Sequence, residues 1–234
     1  NTGKITGILN AYGLAGSIGG LAGTCNNNMI LNCYNIGEIS GGDGIGGLLG
    51  TCDTATIKNS YSNCSVSGKK NVGGLVGGNV GYSFFKVTII QSYSLGVVSG
   101  DSYVGGLAGA CNGCKIQDSY SQAAVKGSGN GVGGLVGRNE NYTSVSNCYS
   151  SGNVTGGTTI GGLIGENVDS GVSNSFWNTV AAGQASSAAG TGKTTSEMKL
   201  QATFSGWDFN SIWTVNENLT YPYLRDNTQS PLPQ

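Results

Sequence analysis

A parallel β-solenoid of about six coils, each ~27–28 residues long, is the fold this sequence predicts, and three observations predict it. Glycine accounts for 43 of 234 residues without any collagen triplet, so backbones must pass close together at regular intervals. The hexapeptide [IV]GGLxG occurs six times, starting at Ile18, Ile45, Val72, Val104, Val132 and Ile160, with spacings of 27, 27, 32, 28 and 28 residues. A second signature runs in phase with it: Ile30 with Tyr34, Ile57 with Tyr61, Ile89 with Tyr93, Ile116 with Tyr120, Val145 with Tyr149 and Val172 with Phe176. Self-similarity at such a period marks a repeat architecture.

Each repeat supplies three short strands. Five residues after each of the first five aromatics stands a β-branched residue (Ile39, Val66, Val98, Val125, Val154), and two further on a glycine (Gly41, Gly68, Gly100, Gly127, Gly156). One coil therefore reads Ile-x-Asn-Ser-Tyr-Ser, then x-Val-x-Gly, then Val-Gly-Gly-Leu-x-Gly, with glycine or polar residues at the corners. A helical repeat is excluded by the glycine and β-branched content and by the lack of apolar residues at helical spacing. Strands this short bury a core only by stacking on their copies one coil away. At ~4.8 Å per coil the six form a rod core about 29 Å long. The column Asn32, Asn59, Gln91, Asp118, Asn147, Asn174 is a polar ladder able to hydrogen-bond along that axis. Which columns face inward stays open, because Leu75 and Val76 of one motif are both apolar.

Asn1–Gly7 aligns with Asn35–Gly41, so the chain begins mid-coil. Two expectations follow: a cut within a longer protein, or a neighbouring subunit that supplies the missing strand, with Asn1, Thr2 and Ile5 at the junction. The segment Gly78–Thr88 is longer than its counterparts and carries Tyr82, Phe84 and Phe85, which either cover the core locally or form an exposed aromatic patch for self-association. Residues 8–17 form another insertion. After Phe176 the pattern stops. Residues 181–192 (AAGQASSAAGTG) read as a linker, Thr194 and Glu197 as a capping box opening a helix near 195–202, and the aromatic-rich residues 204–224 as a cap over the rod's end.

Charged residues make up 10% of the chain and the formal net charge is −1, which leaves no basic patch for nucleic acid. No apolar run approaches the length of a membrane-spanning helix. With no histidine, sites that need imidazole are excluded: His-ligated zinc, haem attached through CxxCH, and Ser-His or Cys-His nucleophile pairs.

The GGLxG core with its flanking Asn-Ser-Tyr-Ser segment resembles the GLUG repeat of large bacterial and archaeal surface proteins. The resemblance covers about residues 1–180, with 181–234 outside it. It implies a cell-surface or secreted setting and carries no catalytic residues to transfer. The expectation is an extracellular structural protein without a cofactor, a filament subunit or adhesin stalk whose partner is a further copy or another surface protein. A carbohydrate-binding module of a larger secreted protein is the alternative. A polysaccharide-degrading β-helix enzyme would need clustered carboxylates on one face, whereas the acids here are scattered and Arg138 aligns over Glu166 as a surface ion pair. A threonine rank for ice binding starts at Thr24 and Thr51 and breaks off at Ala110 and Arg138.

Cys25, Cys52 and Cys111 each fall two residues after the motif's last glycine, and Cys25 stacks on Cys52, within reach of an inter-coil disulfide. Cys111 and Cys114 form a CNGC loop that closes locally or acts as a redox pair, with a structural bridge favoured. No four cysteines have finger-like spacing, so no metal site is expected. The sequons at Asn63, Asn141, Asn153 and Asn218 suit a glycosylated surface.

Overall fold

The computed structural model of the chain describes residues 2–6, 16–79 and 87–234; for residues 2–6 and Asn79 only the backbone is described. The stack is a parallel β-solenoid with three faces, built of two ten-stranded sheets and one six-stranded sheet. The tyrosine face runs from Thr2–Thr6 through Tyr34–Ser40, Tyr61–Ser67, Tyr93–Gly100, Tyr120–Ser121, Tyr149–Ser150 and Phe176–Asn178 to Thr191–Lys193. The isoleucine face begins with Ala22–Leu31 and Leu49–Lys58, and the glycine face is made of the short strands that open each hexapeptide.

Register follows the repeat. Tyr34 pairs with Tyr61, Tyr61 with Tyr93, Tyr93 with Tyr120, Tyr120 with Tyr149, and Tyr149 with Phe176. Ile30, Ile57, Ile89, Ile116, Val145 and Val172 form a second continuous column. The long segment after Gly78 does not disturb this stacking, because Val76–Asn79 and Val87–Ile90 both pair with the single strand Leu49–Lys58. Tyr82, Phe84 and Phe85 lie outside the described residues, as does Asn1.

The interior resolves the open question about Leu75 and Val76, since both are buried. They straddle a corner, and their columns (Leu48, Leu75, Leu107, Leu135, Leu163; Leu49, Val76, Ala108, Val136, Ile164) fill one continuous core. The paired glycines ahead of them permit this. A β-carbon on Gly105 would meet the Ala108 carbonyl oxygen at 1.9 Å, and one on Gly106 would meet the Gly134 carbonyl oxygen at 2.1 Å, contacts with backbone that cannot move aside.

The expected polar ladder is foremost a column of left-handed corners. Asn32, Asn59, Gln91, Asp118, Asn147 and Asn174 all have φ between 44° and 53°, a region in which asparagine and aspartate are enriched. One axial side-chain bond joins the column, from Asn147 Nδ2 to Asp118 Oδ1 at 3.1 Å.

The end of the chain departs from the sequence reading. Residues 181–192 are not a linker. Asn178 caps a one-turn helix, Thr179–Ala182, and the following chain seals the last coil. Ser186 accepts from Gly162, Ala188 donates to Ile164, and Thr191–Lys193 pairs with Phe176–Asn178. A run of small polar residues reads as flexible, but here it supplies backbone donors and acceptors to exposed strand edges. The Thr194–Glu197 capping box forms, with the Thr194 amide donating to the Glu197 carboxylate at 2.8 Å. The helix it opens is only a pair of 3-10 turns, Glu197–Lys199 and Gln201–Thr203, interrupted where Leu200 is extended. The aromatic-rich segment does not stop at the rod end; it folds back along the tyrosine face and packs on Tyr93, Tyr120 and Tyr149.

Candidate functional site: the tyrosine column and its cover

In three coils the residue that follows the tyrosine couples the two signatures of the repeat. Strand alternation sends that side chain inward while the tyrosine ring stays outside. Ser150 Oγ donates to the Gly162 carbonyl at 2.6 Å, Asn35 Nδ2 to Gly47 at 2.9 Å, and Ser94 Oγ likewise to Gly106, each across 12 residues. The serine before Tyr61, Tyr93 and Tyr120 works along the axis. Ser60, Ser92 and Ser119 each donate to the carbonyl two residues earlier and accept an amide from the preceding coil. Sequence reasoning missed both roles, although the constant interval of 12 residues was available as a signal.

Outside, the rings stack face to face. From Tyr34 to Tyr149 successive centroids lie 4.9–5.2 Å apart with interplanar angles of 4–9°. The C-terminal segment covers much of this column with Trp207, Trp213, Phe204, Tyr221 and Leu224. Its polar anchors are specific: Tyr149 Oη donates to the Pro222 carbonyl at 2.8 Å, Tyr120 Oη to Gln229 Oε1 at 3.1 Å, Trp207 Nε1 to the Asn174 carbonyl at 2.9 Å, and Trp213 Nε1 reaches Asp118 Oδ1 at 3.4 Å. Asn227 reaches further, to the Gln91 and Ser60 carbonyls. Tyr93, Tyr120 and Tyr149 are buried, whereas Tyr34 keeps 48% exposure. Burial, with neighbouring phenols second, raises the pKa of all three buried tyrosines.

A charge cluster on the remaining surface centres on Arg138. Arg138 contacts Glu140 at 2.8 Å and Glu166 at 3.8 Å, as its register over Glu166 predicts, and donates to Tyr103 Oη at 2.6 Å. Lys70 sits 5.2 Å from the centroid of the same Tyr103 ring. Tyr103 was not singled out from the sequence, since it falls outside both repeat signatures. Among the described residues, no three Cys, Asp or Glu side chains stand close enough to share a metal ion.

The cysteine positions match the sequence register. Cys25 and Cys52 are direct neighbours, with sulfurs 2.8 Å apart and not bonded. Cys111 and Cys114 are both buried and interact with each other, also as thiols. Asn63, Asn141, Asn153 and Asn218 are all exposed. The Asn141 side chain donates to Asn112 Oδ1 at 2.9 Å, and Thr143 of its sequon is buried. Thr2 and Ile5 lie in a strand in register with Ile36 and Ile39.

Comparison with known proteins agrees with this architecture. The family profile for the GLUG motif matches residues 128–155, so the chain carries that motif there. A protein of Evansella cellulosilytica, provisionally named a Gly-rich membrane protein, is 35% identical over 118 residues; the match spans 46% of this chain and 13% of that relative's length. A crystal structure from Bacteroides ovatus, provisionally titled an immunoglobulin A1 protease, superposes with a TM-score of 0.63 at 22% identity, over 87% of this chain and 69% of that one. At that identity the likeness is one of fold.

Proposed function

We propose that the chain is a stiff, non-catalytic stalk module of a larger surface-associated or secreted protein. The observation that carries this reading is the unbroken register of the apolar and tyrosine columns across six coils, which makes one continuous elongated core. The GLUG motif at 128–155 and a relative whose name places it at a membrane support the setting. Covering only 13% of that relative fits a module within a longer chain.

Two observations favour a stalk over a filament built by coil completion or a sugar-binding face. At the C-terminal end, residues 186–193 cover the edges of Gly161–Gly162, Ile164 and Phe176–Asn178, which leaves a second copy chiefly the short strand Gly171–Ser173 to extend. Between Tyr61 and Tyr149 the ring faces are spent on one another, so they offer a sugar ring no free platform.

Single-molecule pulling on the chain between flanking reference domains tests the reading. Coils should yield stepwise, each releasing about 90 Å of contour length for ~27 residues. A featureless low-force slide would overturn the stalk assignment. Turnover of cell-wall glycans or of immunoglobulin by the isolated chain would overturn its non-catalytic part.

A further inference from the structure

The seven thiols are not equivalent. Cys25 and Cys52 occupy matched positions on the strands Ala22–Leu31 and Leu49–Lys58, and their sulfurs are 2.8 Å apart. Cys52 is fully buried, whereas Cys25 is half-buried and reachable from solvent. Among the described residues, the strand that carries Cys25 pairs only with Leu49–Lys58, and its register slips immediately after Cys25. Cys111 and Cys114, by contrast, are both sealed in the core, and Gly113 between them holds φ at 66°.

We propose that Cys25 and Cys52 form a redox modification site which, on exchange with a small-molecule disulfide, becomes an inter-coil cross-link between Ala22–Leu31 and Leu49–Lys58, and that this is the pair of cysteines that closes on itself in the folded protein. The Cys25 thiolate attacks one sulfur of the reagent RSSR and expels RS⁻, leaving a Cys25–S–S–R mixed disulfide. Cys52, which is enclosed, then attacks the Cys25 sulfur and gives up its proton to the departing RS⁻ as the S–R bond breaks. Both thiolates take up protons, so two cysteine thiols are oxidised and one RSSR is reduced to two RSH. The contact with Cys52 lowers the Cys25 pKa against the opposing effect of burial, which makes the accessible thiol the better nucleophile. The same contact and burial raise that of Cys52, so Cys52 acts second. The distance left to close is short: a disulfide needs about 2.05 Å between sulfurs.

The test exposes the fully reduced, folded chain to oxidised glutathione and quenches with iodoacetamide at intervals. Cleavage before Asp43 and Asp53 separates Cys52 from Cys25 and Cys33, and fragmentation of the linked peptides assigns the bond. The expected product is a Cys25–Cys52 link that forms in a Cys33→Ser variant as readily as in the parent. It should form at least about tenfold faster than any Cys111–Cys114 link, which should appear only in denaturant. Backbone hydrogen exchange in Ala22–Leu31 should slow on oxidation. A Cys25–Cys33 or Cys52–Cys114 link, a persistent glutathione adduct on Cys25, or equal rates for the two pairs would overturn the proposal.

Discussion

Leucine at the fourth position of the hexapeptide offers a controlled pair of perturbations, because the same residue sits in the same repeat position in two environments. Leu107 is fully buried between Leu75 and Leu135, whereas Leu21 is 52% exposed. Replacing Leu107 by alanine removes its transfer free energy and leaves a cavity, together about 3 kcal/mol. At Leu21 roughly half the area term is lost and water fills the space, so the cost is about 1 kcal/mol. The difference of ~2 kcal/mol corresponds to about 4–8 °C in Tm for a unit of this size. Far-ultraviolet circular dichroism against urea and temperature measures both variants, and hydrogen exchange locates the damage. A coil touches only its neighbours, so Leu107→Ala should speed exchange around Leu75, Leu107 and Leu135 and spare strands further along the stack. Equal destabilisation by the two substitutions would refute the account of the core, because a stack with Leu107 enclosed and Leu21 open cannot respond alike.

Three further outcomes are expected. Ser150→Ala should cost about 1–2 kcal/mol by stranding the Gly162 carbonyl, while Ser62→Ala, whose hydroxyl is buried without a partner, should be neutral or stabilising; chemical denaturation separates them. Trp213→Ala should cost about 3–5 kcal/mol locally and free the C-terminal segment, so that limited trypsin cuts after Lys199 and Arg225 at concentrations that leave the parent intact. Stability should not depend on tyrosine ionisation below the unfolded tyrosine pKa of about 10, where both states hold the phenolic proton. Above it only the unfolded chain ionises these residues, so each buried tyrosine should remove about 1.4 kcal/mol per pH unit up to its raised native pKa; tyrosinate absorbance equivalent to all 11 tyrosines developing near pH 10 with the fold intact would contradict the burial of Tyr120 and Tyr149.

The rod was legible in the sequence because every side chain in a stacked coil meets its own copy, so spacing alone encodes register: Ile57 over Ile30 and Cys52 over Cys25 follow from counting. The corner column was legible for the same reason, although its purpose is backbone geometry more than side-chain bonding. What counting cannot supply is the path of a segment that lacks the repeat. Residues 181–192 resemble a linker because serine, alanine and glycine bury little, yet strand edges need only backbone partners. The aromatic segment declared an apolar surface without declaring which surface it meets. The tyrosine column was visible as a signature, but nothing in its spacing told inward tyrosines from outward ones.

That last ambiguity is where structure and proposed function meet. Because the residue after the tyrosine, serine in most coils and Asn35 in the first, turns inward toward the hexapeptide glycines, the tyrosine must turn outward, and stacking then lines up six aromatic rings on one face. Left bare, such a stripe is a large exposed apolar patch, the kind of surface that recruits other proteins or aggregates. The chain meets this with residues 204–229, which lay tryptophans over the column and place Asn227 and Gln229 beside Gln91 and Tyr120. The cover belongs to the same requirement as the repeat: strand alternation that turns the small polar residue inward obliges the tyrosine before it to face outward, and a solenoid that is to stay single has to cover that ring.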